Sequence, residues 1–214
     1  MKKIVFFLFF FFIIFFFFFF NNNKLNKALP ILGSKDFIKK ELNGKISNEV
    51  IYHTISYFNF IDQFGSIVDK STFNKKIYIS NFFFTTCPTI CPILITQMLR
   101  VYYIYKHSLN FKMISHSIDS FYDNVNILRL YSENIGLKDN KIWHFITGNK
   151  SEIYEISQKS YYVSALEDSG VPGGIIHGGT IVLVDNKMRI RGFYDGTQKF
   201  QVNDLIEDID KLLK

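Results

Sequence analysis

Cysteine is almost missing from this chain: Cys87 and Cys91 are the only two. A pair is too small for a framework of several disulfides, and for a four-thiolate zinc or iron–sulfur site. A C-x3-C pair leaves a redox couple, a metal-binding pair or one small disulfide loop. Proline is scarce too, with four residues, and two of them, Pro88 and Pro92, directly follow the cysteines. The chain also lacks a compact basic block. Its formal charge of +6 comes from scattered lysines, which excludes the basic, aromatic-interleaved patch expected of a nucleic-acid binder.

One long apolar run is present. After Met1-Lys-Lys, residues Ile4 to Phe20 are uninterrupted and hold 12 of the 25 phenylalanines. That length is at the short end of a membrane span and exceeds most secretory apolar regions. No small-x-small cleavage motif follows, only Asn21-Asn-Asn, and no cysteine for lipidation. Residues 1–23 are therefore expected to be an uncleaved, single-pass anchor. Lys2 and Lys3 favour an inside N-terminus, with Lys24 and Lys27 at the other flank. Residues 24–56, polar with Pro30, Gly33 and Gly44, read as a tether with little regular structure. Residues 57–214 read as one domain.

Within that domain, Tyr57–Ile61 and Ser66–Val68 flank Gly65 and read as a hairpin. Ile77–Phe84 is apolar on both faces, as a central strand requires. Ile93–Lys106 carries a helical apolar stripe. Pro92 suits a first helical position, which places Cys91 at the cap and Cys87 in a separate turn. A thiol at a helix N-terminus feels its positive end, which favours thiolate. Phe111–Ile118 and Ile142–Ile146 read as strands, with a helix over Val125–Asn134 between them. Ser151–Ser160 reads as a helix, Tyr161–Val163 as a short strand and Glu167–Gly174 as a loop leading to His177. Thr180–Asp185 and Met188–Tyr194 read as a hairpin, and Val202–Leu213 as a closing helix. This order is that of an α/β, thioredoxin-like three-layer sandwich.

Phe84-Thr-x-Cys-Pro-x-x-Cys-Pro92, in this setting, resembles the Sco/SenC family. Support extends from about Tyr52 to Gly196: Phe60–Gly65, Ile114–Asp119, His144–Gly148, and His177 ahead of Ile181–Asp185 all resemble family segments. The resemblance implies a copper metallochaperone anchored in the cytoplasmic membrane. Its soluble domain would lie on the periplasmic or extracytoplasmic side. It would serve the copper-bearing subunit of a cytochrome oxidase, at the copper A centre, and the resemblance also implies other periplasmic copper carriers or thiol reductants as partners. The implied ligands are Cys87, Cys91 and His177. Two departures stand out: Ile176 precedes the histidine where many members have Asp, and Ser120 follows Asp119 where Pro is usual.

The chemistry agrees with that ligand set. Copper(I) is soft and prefers thiolate, with imidazole as a third donor; closed zinc sites need a fourth ligand, and none is evident. The rival reading is a thiol–disulfide oxidoreductase in which Cys87 and Cys91 form the redox pair and keep an oxidase's copper-ligand cysteines reduced. A peroxidase-like thiol enzyme is a third. His116, near Asp119, is the alternative ligand, and Asp119 is a candidate to orient the site, its other reading being a hydrogen-bond acceptor within its own loop. His53, His107 and His144 read as tether, helix-surface and strand-edge residues. Arg189 and Arg191 read as a solvated strand face.

Overall fold

The computed structural model describes residue 12 and residues 28–42, 45–138, 140–167 and 175–214. Among these, no helix is long and apolar enough to cross a membrane. The expected anchor, apart from Phe12, lies outside the described residues.

Eleven strands are described. They are β1 (Lys35–Leu42), β2 (Lys45–Tyr52), β3 (Asn59–Asp62), β4 (Ile67–Asp69), β5 (Ile77–Phe83), β6 (Phe111–Ser117), β7 (Trp143–Thr147), β8 (Ala165–Glu167), β9 (Ile175–His177), β10 (Thr180–Val184) and β11 (Ile190–Asp195). The helices are α1 (Ile90–Tyr105), α2 (Val125–Asn134), α3 (Lys150–Glu155) and α4 (Lys199–Leu213). A single π-helical turn, Ile156–Ser160, continues α3. Seven strands form one sheet in the order β11-β10-β5-β6-β7-β3-β4. β5, β6 and β7 run parallel at its centre, and the outer pairings are antiparallel.

All seven residues of β5 are buried, which is why its sequence shows no alternation. Successive strand side chains point to opposite faces, so Phe83 and Phe82 mark the two sides of the sheet. On the Phe83 side, Tyr131 of α2 packs against Phe83 and Phe145, and Tyr102 of α1 against Trp143. The α4 helix lies beside α1, where the Tyr105 hydroxyl donates to Asp210 at 2.7 Å. On the Phe82 side, Tyr161 and Ile156 close over the core. Helices thus cover both faces of the sheet. Each fully buried large side chain in these layers contributes about 1.5–3 kcal/mol. Several polar groups inside are paired across strands. Trp143 Nε1 donates to Ser115 Oγ at 2.8 Å, and Ser115 Oγ donates to Asn81 Oδ1 at 2.6 Å. Gln63 takes the Phe145 N–H and gives its amide to the Trp143 carbonyl.

Three expectations are corrected here. Residues 24–56 are not without regular structure: β1 and β2 pair antiparallel from Lys35↔Tyr52 to Leu42↔Lys45. The charges in Lys35–Leu42 hide its strand character, and Asn43-Gly44 is a sequence suited to a two-residue hairpin connection. Tyr161–Val163 is not a strand. It closes the π-turn, with Tyr161 N–H donating to Ile156 O and Val163 N–H to Ser157 O. Arg189 and Arg191 are not a solvated face. Both grip the Asp185 carboxylate, at 2.7 and 2.9 Å, with Asp185 only 3% exposed. The i, i+4 and i, i+6 spacing wraps a tight turn around one acid.

Burial pushes the Asp185 carboxyl up. Hydrogen bonds from Arg189, Arg191 and the Lys187 N–H outweigh it and hold the group below its ordinary value. Folding stability from this cluster is therefore complete above the unfolded aspartate value of about 3.9 and is lost as pH falls through the lower folded value. Asp185→Asn is expected to cost about 3 kcal/mol near neutral pH, because two mostly buried guanidiniums lose their counter-charge. Urea denaturation at pH 7 and pH 3 checks this, and the gap between variant and wild type should narrow at the lower pH.

Candidate metal centre

The buried strand β5 runs out at Phe83, and the chain turns at once. Cys87 N–H reaches back to Phe84 O at 3.3 Å, so the first cysteine sits in a tight turn over the strand end. Thr89 caps α1 without using its side chain on the helix. Its hydroxyl instead stands 3.9 Å from Cys87 Sγ. The helix begins at Ile90, two residues before the expected start at Pro92. Cys91 is thus inside the first turn, and Pro92 is its third residue. The first helical turn has no intrahelical acceptor for its N–H groups, so a proline there removes nothing, and that is why the start was free to move.

Neither thiol is joined in a disulfide, and both are buried, Cys87 at 8% and Cys91 at 2% exposure. Their ionisation is driven in opposite directions. For Cys87, burial opposes the thiolate. Hydrogen bonds from the Cys91 thiol, from the N–H groups of Thr89 and Cys91 and from the Thr89 hydroxyl outweigh burial and hold the thiol below its usual range. For Cys91, burial leads. The bond it gives to Cys87 and the charges of Cys87 and Asp123 add to it, and the thiol is pushed far up against a single opposing contact from the Phe84 backbone. The pair is therefore one thiolate-prone sulfur supported by one protonated partner.

Asp123 is a residue that sequence reasoning missed. It is fully buried. It accepts the Thr85 N–H at 2.9 Å, the Thr85 hydroxyl, and the Ser117 hydroxyl at 2.6 Å. Burial raises its carboxyl, and these bonds only partly oppose the rise. Asp123 thereby ties the loop leaving β5 to the loop leaving β6, directly under the cysteines. The available signal was its place just past the C-terminal end of a parallel strand, where sites in α/β sheets collect. Asp119, considered instead, caps its own turn by accepting the Tyr122 N–H at 3.4 Å. Tyr131 lies below the pair as well; burial first, then the nearby Cys91, Asp123 and Cys87 charges, raise its hydroxyl.

The histidines separate cleanly. His116 is fully buried on the Phe82 side of the sheet, stacked on Phe82 at 4.7 Å and edge-on to Tyr161 and Phe60. Neither of its ring nitrogens has a hydrogen-bond partner, and burial pushes the ring down to about 3. It is a neutral core ring, away from the thiols. His144 pairs with Asp62 at 3.0 Å, and His53 contacts Ser160 O at 2.8 Å. His107 lies in the turn after α1.

His177 ends β9, paired with Ala165 of β8; its side chain and residues 168–174 lie outside the described residues. Its backbone position is informative. β10 pairs antiparallel with β5, Val182 opposite Ser80, so the start of β10 lies at the cysteine end of β5. Gly178, Gly179 and Thr180 line a cleft of about 460 Å³ together with Ile90, the neighbour of Cys91. Close approach is required there: a Cβ on Gly196 would collide with Leu94 Cδ1 of α1. Among the described residues no cluster of three His, Cys, Asp or Glu side chains could hold a metal. Two adjacent soft donors, one held toward thiolate, are nonetheless a fitting set for a soft cation.

Comparisons with known proteins agree with this geometry. The SCO1/SenC family model matches residues 49–214. The SCO1 protein homolog of Bacillus subtilis (strain 168) is 27% identical over 169 residues, covering 78% of this chain and 86% of that protein. The structure of BsSco, a member of the Sco family of cytochrome c oxidase assembly proteins in which a disulfide switch was identified, superposes with a TM-score of 0.65. It is 28% identical and covers 75% of this chain and 93% of its own. Arabidopsis thaliana ScoI, solved with copper bound, gives a TM-score of 0.60 at 21% identity, covering 73% of this chain and 98% of its own. With more than three quarters of its length matched, and with the unbridged thiol pair at the strand–helix junction, the chain belongs to the SCO1/SenC family.

Proposed function

We propose that this chain is a copper metallochaperone of cytochrome oxidase assembly, with Cys87, Cys91 and His177 as its ligands and the oxidase's copper A centre as the recipient. Residues 1–23 anchor it in the cytoplasmic membrane, and the soluble domain works on the extracytoplasmic side. The observation that carries the reading is the unequal, touching thiol pair at the start of α1. Family membership supports it, as does the copper bound by Arabidopsis thaliana ScoI.

Copper here is cargo. Cys87 offers the first thiolate, and Cys91 loses its proton as the metal arrives, because the cation's charge offsets the burial that keeps this thiol protonated. Uptake therefore releases protons. His177, three residues before β10 begins at the cysteine end of the sheet, supplies a neutral imidazole. Release proceeds by ligand exchange: an incoming thiolate or imidazole of the recipient takes a coordination position as one of these leaves. Binding soft copper(I) requires the dithiol. A disulfide presents no thiolate.

A second reading has its own supporting observation. One lowered and one raised thiol is also the arrangement of an attacking and a resolving cysteine, so a tethered reductase of oxidase cysteines fits the same pair.

Two outcomes distinguish them. In competition titration against a chromophoric chelator, the reduced chain is expected to bind one copper(I), and the Cys87–Cys91 disulfide form none. Equal retention by both forms would move the site to histidines. His177→Ala is expected to leave dithiol–disulfide cycling intact while weakening copper(II) binding. In the wild type that binding should fall as pH drops below about 6.5, as protons compete for the imidazole; the variant should lose this component. A folded His177→Ala chain with unchanged copper affinity and unchanged oxidase assembly leaves the reductase reading in front.

A further inference from the structure

Lysines that stand scattered along the sequence are gathered by the fold. β5, β6 and β7 run parallel, so their first residues share the end of the sheet opposite the cysteines, and β10 finishes there too, with Val184 beside Tyr78. The turns at that end carry exposed Lys75, Lys106, Lys138, Lys141 and Lys187. Half-buried Lys76 and Lys112 join them: Lys76 Nζ donates to Leu109 O at 2.6 Å, and Lys112 Nζ to Lys141 O at 3.3 Å. Burial, and then the charge of Lys76, hold the Lys112 amine below its ordinary value. Several carboxylates near this end are already engaged: Asp62 by His144, Asp185 by Arg189 and Arg191, and Asp210 by the Tyr105 hydroxyl. Glu133, on the last turn of α2, is exposed. Large apolar side chains stand among the lysines. Leu109, in the turn before β6, is 86% exposed, and Ile67, after the β3–β4 turn, is 67% exposed. The β1–β2 hairpin leaves the domain at this end as well. Before it, Leu32 N–H donates to Ile190 O and Arg191 holds the Leu29 and Pro30 carbonyls; after it, Ile55 N–H donates to Met188 O. The thiol end differs. Its loops 84–89 and 118–124 contain no lysine or arginine and include Asp119 and Asp123, while Lys150 and Lys199 open α3 and α4 there.

We propose that this basic, apolar-studded end of the domain is a docking face for the surface of an anionic phospholipid bilayer. Ammonium groups are drawn to anionic headgroups, and lysine stems lie along apolar surface while their charges stay in water. Exposed leucine and isoleucine beside them gain from entering the boundary between headgroups and acyl chains. That apolar content selects a bilayer over an acidic protein. Carboxylates alone would give Leu109 and Ile67 no reason to stand in water at this end, whereas hydrocarbon does. The lysines line the ends of four neighbouring strands, β10, β5, β6 and β7, a row about 14 Å long at the usual strand spacing. The face needs neither residues 1–23 nor bound copper. Its consequence is orientation. With this end on lipid, the length of β5 sets the thiol pair about 20 Å away from the headgroups, open to a partner approaching from the aqueous side.

The test uses the full chain with vesicles of phosphatidylcholine alone and with vesicles that also contain phosphatidylglycerol. An environment-sensitive fluorophore is placed through a non-natural residue at Asn110, exposed beside Leu109, or at Phe121, exposed in a loop at the thiol end. An anchor would hold the chain to both kinds of vesicle, so the difference between them reports the face alone. With phosphatidylglycerol only, the probe at 110 is expected to shift to the blue and to be reached by a lipid-borne quencher. High salt should reverse both effects by screening the headgroup charge. The probe at 121 should remain in water throughout. Lys106→Gln combined with Lys141→Gln, both exposed positions, should lower the docked-to-free ratio at least about tenfold. Leu109→Ser, which leaves the charge unchanged, should lower it as well; circular dichroism checks that both variants fold. Equal spectra from position 110 in the two lipids, or a shift at 121 in place of 110, overturns the docking face. Docking that polyglutamate displaces and that Leu109→Ser leaves unchanged overturns the bilayer in favour of an acidic protein.

Discussion

At the first turn of α1, backbone N–H groups that no helical carbonyl can reach are aimed at the Cys87 sulfur. Much of the site follows from that contact. The thiol is mostly buried, and burial alone would keep it protonated. The N–H groups of Thr89 and Cys91, with the Thr89 hydroxyl and the Cys91 thiol, reverse the balance. The arrangement needs a helix that begins within two residues of the turn, and a strand rigid enough to hold the turn in place. β5, buried along its whole length between parallel and antiparallel neighbours, supplies that rigidity.

Asp123 provides the second support. A carboxylate with no cation beside it is costly to bury, and here its oxygens are occupied by Thr85 and Ser117. Those two residues leave adjacent parallel strands, so the acid sets the spacing of the loops on which the thiol pair rests. The same negative charge disfavours a second thiolate at Cys91. The pair therefore holds at most one easy negative charge until a cation arrives to balance a second. Among the described residues, the opposite face offers no comparable chemistry. His116 is a polar ring among Phe58, Phe60, Phe82 and Tyr161, and its low basicity keeps it neutral.

Elements whose burial pattern is written locally were legible in the sequence. Ile77–Phe84 reads as a central strand because both of its faces are apolar, and Val125–Asn134 and the β10–β11 hairpin read from period and turn residues. What stayed hidden depended on partners distant in sequence. The roles of Arg189 and Arg191 emerge only when Asp185 folds back and Leu29 and Pro30 arrive from the far end of the chain. The β1–β2 hairpin was masked by its charges. Cys87 and Cys91 were plain as a pair, but their inequality was not, because it comes from one residue lying in a turn and the other in a helix. Asp123 was overlooked for Asp119, four residues earlier, since only the fold decides which of two loop acids turns inward.

The most direct test of the account is the pH dependence of alkylation at each cysteine of the reduced, metal-free chain, resolved by peptide mass spectrometry. Cys87 should label first, with a midpoint below the free-thiol value of about 8.5, and Cys91 should stay unlabelled through that range. Labelling of Cys91 ahead of Cys87, or a Cys87 midpoint above that value, would contradict the claim that helix-terminal hydrogen bonds overcome burial at this sulfur.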